Sequence, residues 1–275
     1  MSRPRALFLI VALFLVSAHL AAQQTVSANE LVRSAINNEL AAAANPAHWM
    51  YLSRKEDGGK TTTRQVIQTR NVILERLIAV DGAALTPAER AKEDKRIAKL
   101  VGDAAALQKI KRQQHEDKIK AQQMLELLPR AFLYEYAGHE GELVRLTFKP
   151  NPAFDPPSRE ARVFHAMEGE MWIHEGQGRL ARMSGRLMEN VNFGFGLLGH
   201  LEKGGRFEVM LSEVSPRIWE MTSMVVDMRG RALIFASINT QERETMTQFS
   251  RVPDELSASR AADLLLRTEH LARGN

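Results

Sequence analysis

Glu170-Met171-Trp172-Ile173-His174-Glu175, then Gly176-Gln177-Gly178, then Arg179-Leu180-Ala181-Arg182-Met183 reads as a strand, a glycine turn and a second strand. The pattern continues to Pro253, with strand-like runs at about 161–166, 170–175, 179–188, 206–214, 217–228, 231–239 and 242–251. Gly204-Gly205 and Arg229-Gly230 supply further turns, so the spacing predicts an antiparallel meander.

Several of these runs are apolar on both sides. Over Ile218 to Met228 one face carries Ile218, Thr222, Met224, Val226 and Met228, and the other Trp219, Met221 and Val225. The next run opposes Ala232, Ile234, Ala236 and Ile238 to Leu233 and Phe235. A solvated antiparallel sheet shows a polar face, so these strands are expected to be covered on both sides. Helices supply one cover; the second is either more protein or a guest. Nine of the 12 methionines fall between Met167 and Met246, beside Trp172, Phe193, Phe195 and Trp219. Methionine adapts to guests of varied shape, and Trp172, Phe195, Trp219, Met221 and Phe235 are the candidate lining of a hydrophobic site. The same side chains serve equally well as core.

Upstream, Ser27-Ala28-Asn29-Glu30 has capping-box spacing and Leu31, Val32, Ala35, Ile36 and Leu40 recur at helical intervals, predicting a helix over about 28–43. Asn45-Pro46 ends it. Trp49 to Leu52, a turn at Asp57-Gly58-Gly59, and Thr61 to Gln68 form a hairpin, with a third strand over 71–80. Gly59-Lys60-Thr61 is a hairpin turn, not a phosphate loop, because Arg54 stands where that loop needs glycine. Thr86-Pro87-Ala88-Glu89 starts a helical insertion over about 86–128, broken at Gly102-Asp103. Lys111 to Lys118 is wholly polar and predicts a solvated middle for its second half. Strands at 131–137 and 143–149 follow. The proline-rich stretch Pro150 to Pro157 is expected to cross from one part of the sheet to another, and Pro253 to Ala272 to be helical.

The first 22 residues read as an address. Arg3 and Arg5 precede the apolar run Ala6 to Val16, and small residues lead to a cleavage position near Ala22. That run is far shorter than the roughly 20 residues of a spanning helix. Cysteine is absent, which removes disulfides, thiol nucleophiles and the lipobox of an anchored lipoprotein. The expectation is an exported, periplasmic protein, residues 23–275 forming one domain. Loss of Arg3 and Arg5 with the leader lowers the net charge from +4 to +2, and charged residues of both signs are mixed along the chain. Such a surface is a poor match to a phosphate backbone, so no nucleic acid partner is expected.

No motif carries catalysis. Serine never stands in a Gly-x-Ser-x-Gly elbow. Glu140/Glu142 and Glu168/Glu170 read as solvated loop charges. His165, Glu168, Glu170 and His174 match no metal spacing, and nothing calls for a cofactor. The expected protein is not an enzyme.

The segment from Phe148-Lys149-Pro150-Asn151-Pro152 to Gly169-Glu170-Met171-Trp172-Ile173-His174, with Leu180-Ala181-Arg182-Met183 after it, resembles the bacterial lipoprotein-carrier superfamily of LolA/LolB-like proteins. His174 replaces the acidic residue usual there, and the helical stretch 86–128 has no counterpart in the short carriers. The chain is also similar to exported bacterial proteins sharing Pro-Asn-Pro-x-Phe and Gly-x-Ala-Leu features. The resemblance implies an α+β fold: a strongly curved antiparallel sheet, an unclosed half-barrel, with N-terminal, inserted and C-terminal helices over its concave side. It implies non-enzymatic carriage of a lipid, acylated protein or other hydrophobic ligand there. The alternative is an envelope interaction or sensor domain whose interior is plugged by its own helices and whose helix 103–128 meets a protein partner.

Overall fold

The computed structural model describes residues 26–193, 199–232 and 241–267. The expected leader therefore lies outside the described residues, as do Phe195 and Phe235. The fold is α+β: helix α1 (Ala28–Ala44), strands β1 (Trp49–Asp57), β2 (Lys60–Gln68), β3 (Ile73–Val80) and β4 (Ala83–Ala84), then helices α2 (Pro87–Gly102) and α3 (Ala104–Ala131). Strands β5 (Phe132–Glu140) and β6 (Leu143–Pro150) lead to a 3-10 turn over Glu160–Ala166. Next come β7 (Met167–His174), β8 (Arg179–Leu187), β9 (Val191–Phe193), β10 (Gly199–Leu201), β11 (Arg206–Ser215), β12 (Ile218–Asp227), β13 (Gly230–Ala232), β14 (Gln241–Arg251) and α4 (Ala258–Arg267).

Eleven strands form one sheet in the order β4-β3-β2-β1-β14-β12-β11-β8-β7-β6-β5, every pairing antiparallel and the ends unjoined. The outer strands are held together by the non-local pairing of β1 with β14. A right-handed twist of roughly 20° per step accumulates to roughly 200° across such a sheet. Both capping boxes form: Ser27 with Glu30 starts α1, and Thr86 with Glu89 starts α2 behind Pro87. Each box satisfies two amide donors that the first helical turn would otherwise leave orphaned.

The sheet is covered on opposite faces at its two ends. Leu146, Met171 and Met183 lie in one cross-strand row, and with Phe132, Phe148 and Ile173 they meet Val32, Ala35 and Ile36 of α1 and Leu127, Leu128 and Ala131 of α3. We call this the inner face. At the far end the other face, carrying Met50, Ile67 and Leu74, meets Ile97 of α2 and Ala261, Ala262 and Leu265 of α4. Helix α3, about 42 Å long at 1.5 Å per residue, joins the two cores: Leu107 and Ile110 pack in the second, Met124 and Leu125 against the first.

Between those contacts α3 passes the free edge of β3 and seals it. The Gln114 side-chain amide receives the Ile73 N–H at 2.9 Å and donates to the Ile73 carbonyl at 2.9 Å. Helix α2 seals the same edge further along: Glu93 accepts from the Leu77 N–H at 2.8 Å, and Arg96 donates to the Glu75 carbonyl at 2.6 Å. The other edge is treated in the same way at its start, where Asn29 of α1 donates to the Phe132 carbonyl and accepts from the Tyr134 N–H, both at 3.4 Å. A carboxamide carries one donor and one acceptor in the geometry of a peptide group and so stands in for a missing strand. The polar middle of α3 is solvated as expected, with six of the eight residues Lys111 to Lys118 exposed, and Gln114 within it adds an edge cap.

Two further expectations are corrected. Residues 161–166 are the 3-10 turn, with Ala161, Val163, Phe164 and Ala166 all buried beneath α3 and β6, so their apolar spacing served a compact turn. The proline-rich connector does not cross the sheet, because β6 and β7, which it joins, are neighbours.

Candidate functional site

On the outer face of β5 to β8, opposite α1, charged residues predominate, interrupted by Leu133, Thr147, Trp172 and Ser184. Register places Glu170, Ser184, Glu208, Val225 and Arg243 in one cross-strand row, and Glu168, Arg186, Arg206 and Asp227 in the next. These rows floor an open trough of about 760 Å³, reaching from Leu133 and Glu135 on β5 to Arg243 on β14. Its apolar floor is small: Leu133 and Val225 on the outer face, with Phe148 and Phe207 reached only beside Gly169 and Gly185, whose missing side chains thin the sheet there.

The glycines explain the shape. Gly169 and Gly185 are cross-strand partners, flanked in the same row by Phe148 and Phe207. A Cβ on Gly169 would lie 2.0 Å from the Ser184 carbonyl oxygen and 2.8 Å from the Phe148 ring, and one on Gly185 would lie 2.6 Å from the Phe207 ring. The two rings close over the missing side chains on the inner face, and the backbones approach too tightly for any larger residue. The sheet bends at such a point.

Ion pairs fix the charged side chains. Arg186 meets Glu168 at 2.7 Å, Lys149 meets Glu135 at 2.9 Å, Arg206 meets Asp227 at 3.0 Å, Arg145 meets Glu170 through its Nε at 2.9 Å, and Arg182 pairs with Glu208. Exposed pairs of this kind contribute at most about 1 kcal/mol each, so the ladder orders the surface more than it stabilises the fold. Glu168 and Glu170, expected in a loop, are strand residues in these pairs.

Trp172 lies on this outer face, between its cross-strand neighbours Arg145 and Arg182, with the Arg182 guanidinium 4.5 Å from its ring centroid. It is buried, and its Nε1 has no hydrogen-bond partner among the described residues. Trp219 stands at the end of the sheet, donating from Nε1 to Gln177 Oε1 at 2.9 Å and meeting the His174 ring edge-on. Met221 is exposed. None of these three lines the trough. The outer side of β12 is therefore not covered by a second layer. Val225 lines the open trough instead, among long charged side chains that shield it with their stems.

A second polar constellation is buried on the inner side. Glu39 of α1 accepts from Arg179 Nε at 2.7 Å, from Arg179 Nη2 at 2.8 Å and from the Leu180 N–H at 2.9 Å. Nearby, Glu220 accepts from the Trp49 indole at 2.7 Å. Burial pushes the Glu220 carboxyl above its usual range, with the Trp49 bond and the Arg179 charge opposing and the Glu39 charge reinforcing the rise. This cluster ties α1 to β8. Its members face each other rather than a cavity mouth, and no group of three His, Asp or Glu side chains suited to a metal ion occurs among the described residues.

The trough charges were readable as an alternation, in Glu168-x-Glu170, Arg182-x-x-x-Arg186 and Arg206-x-Glu208. Nothing local showed that they would share one concave surface. Fold and site together define an α+β protein built on an open eleven-stranded antiparallel sheet, with a small three-stranded sheet of β9, β10 and β13 beside it and one face of the larger sheet, from β5 across to β14, left as a charged trough. Comparison with protein-family models, with curated proteins and with solved structures finds no match.

Proposed function

We propose that this protein is a non-enzymatic envelope interaction domain that docks a segment of another protein in the outer trough. The observation that carries the reading is where the concavity lies: the helices occupy the inner face of β5 to β8, while an open volume of about 760 Å³ lies on the opposite face, walled by ordered charges. A lining of four acids and four bases suits polar, paired contacts with a polypeptide far better than an acyl chain, which needs a dry apolar wall. A photoreactive residue at position 184, in the trough, is expected to give a discrete protein adduct in the native envelope, and one at Met183, in the inner core, to give none. Equal yields from the two positions would remove the proposal.

Carriage of a lipid or other amphiphile is the second reading, favoured by the half-buried Phe207, Leu211 and Met228 that border the inner core. Native mass spectrometry of protein purified from its own envelope separates the two: a stoichiometric co-purifying lipid supports carriage.

A further inference from the structure

The trough is electrically divided. Among its lining residues the wall on β5 to β7 contributes Glu135, Glu168 and Glu170 against Lys149, and the wall on β8 to β14 contributes Arg186, Arg206 and Arg243 against Glu208, with Asp227 beside Arg206 at its border. Arg186 and Arg206 are direct cross-strand partners, each held by its own acid, Glu168 at 2.7 Å and Asp227 at 3.0 Å, and both side chains stay about two-thirds exposed, at 65% and 68%. Arg243, also exposed, has no acidic partner among the described residues. An anionic group laid along this half meets two exposed arginines side by side and a third with no acid of its own. The acidic half offers the mirror situation to a cation, since Glu168 and Glu170 already share one strand face.

Resting on the docking reading above, we propose that the trough selects an extended peptide segment of a partner protein with its charges in blocks: acidic side chains over Arg186, Arg206 and Arg243, basic ones over Glu135, Glu168 and Glu170. The dimensions fix its length. The lining comes from seven strands; six spacings of about 4.8 Å make about 29 Å, which an extended chain at about 3.3 Å per residue spans with about nine residues. Each block then covers one half. A uniformly acidic segment meets repulsion from Glu135, Glu168 and Glu170, and an anionic lipid surface meets the same wall, so neither is as well matched.

The test uses the full chain and fluorescein-labelled decapeptides at low ionic strength, where exposed charges are least screened. One peptide carries three lysines, a Gly-Ser spacer and three glutamates in blocks; the second has the same composition with the charges alternating; phosphatidylglycerol vesicles form a third arm. The block peptide is expected to bind about tenfold or more tightly than the alternating one, equivalent to about 1.4 kcal/mol. Arg206→Glu and, separately, Arg243→Glu should erase that preference; circular dichroism confirms that each variant is folded. Equal binding of the two peptides, no binding of either, or tighter association with the vesicles overturns the inference. Ser184→Trp fills the trough without altering its charge. If it abolishes binding of both peptides while the arginine variants change nothing, docking stands and charge selection falls; if neither matters, both fall.

Discussion

Removing the Glu39 carboxylate should do disproportionate damage for a single helix side chain. Glu39 and Arg179 are each at least nine-tenths buried, and the carboxylate accepts from Arg179 Nε and Nη2 and from the Leu180 N–H. Glu39→Ala leaves a buried cation and a buried amide without their acceptor. Breaking a buried pair from one side costs about 3–5 kcal/mol. For a chain of this size that corresponds to a melting temperature lower by about 6–20 °C, at about 2–4 °C per kcal/mol. The double replacement Glu39→Leu with Arg179→Met removes both charges and keeps the volume, and should recover most of the loss, because no uncompensated charge stays behind. Urea denaturation followed by circular dichroism measures Glu39→Ala, the double variant and its two single components, Glu39→Leu and Arg179→Met. A loss below about 1 kcal/mol in Glu39→Ala, or a double variant as unstable as the two single ones combined, would show that α1 is not pinned to β8 through this pair.

Three further outcomes follow from the same geometry. Glu220 has a folded-state pKa above its unfolded one, so the stability it contributes is complete below the unfolded pKa and is lost as pH rises through the folded pKa; Glu220→Gln should flatten the fall in stability as pH rises above the ordinary carboxylate range, and an unchanged slope in denaturant titrations speaks against the assignment. Gly169→Ala places a Cβ against the Ser184 carbonyl at 2.0 Å, backbone against backbone, and should cost about 1–3 kcal/mol or more in a thermal melt. Gln114→Ala removes both amide contacts to Ile73; hydrogen exchange at the Ile73 amide should accelerate and self-association rise as the β3 edge opens, whereas an unaltered exchange rate would assign the seal to other groups.

Local chemistry was legible in the sequence and distant chemistry was not. Ser27 with Glu30 and Thr86-Pro87 with Glu89 announce helix starts because both partners lie within one turn, and the glycine turns set the meander for the same reason. The 3-10 turn was misread because Val163 and Phe164 favour strands in isolation and only burial against α3 and β6 overrides that preference. Gln114 looked solvent-bound since the strand edge it caps is 41 residues away. The expectation of a cover over both faces of β12 failed because arginine and glutamate stems from β8, β11 and β14 shelter Val225 without forming a layer. The trough itself needs the pairing order of seven strands before its charges converge, and β14 joins it only through long-range registers.

The account turns on which side of β8 is open. The chain has no cysteine, so a single introduced thiol reports its own position without background. Ser184 and Met183 are sequence neighbours on opposite faces, one in the trough and the other in the inner core. With a bulky, charged maleimide under native conditions, Ser184→Cys should label at the rate of an accessible thiol and Met183→Cys should stay protected until denaturant is added. Fast labelling at 183 with protection at 184 would place the opening on the helix-covered side and contradict the docking account.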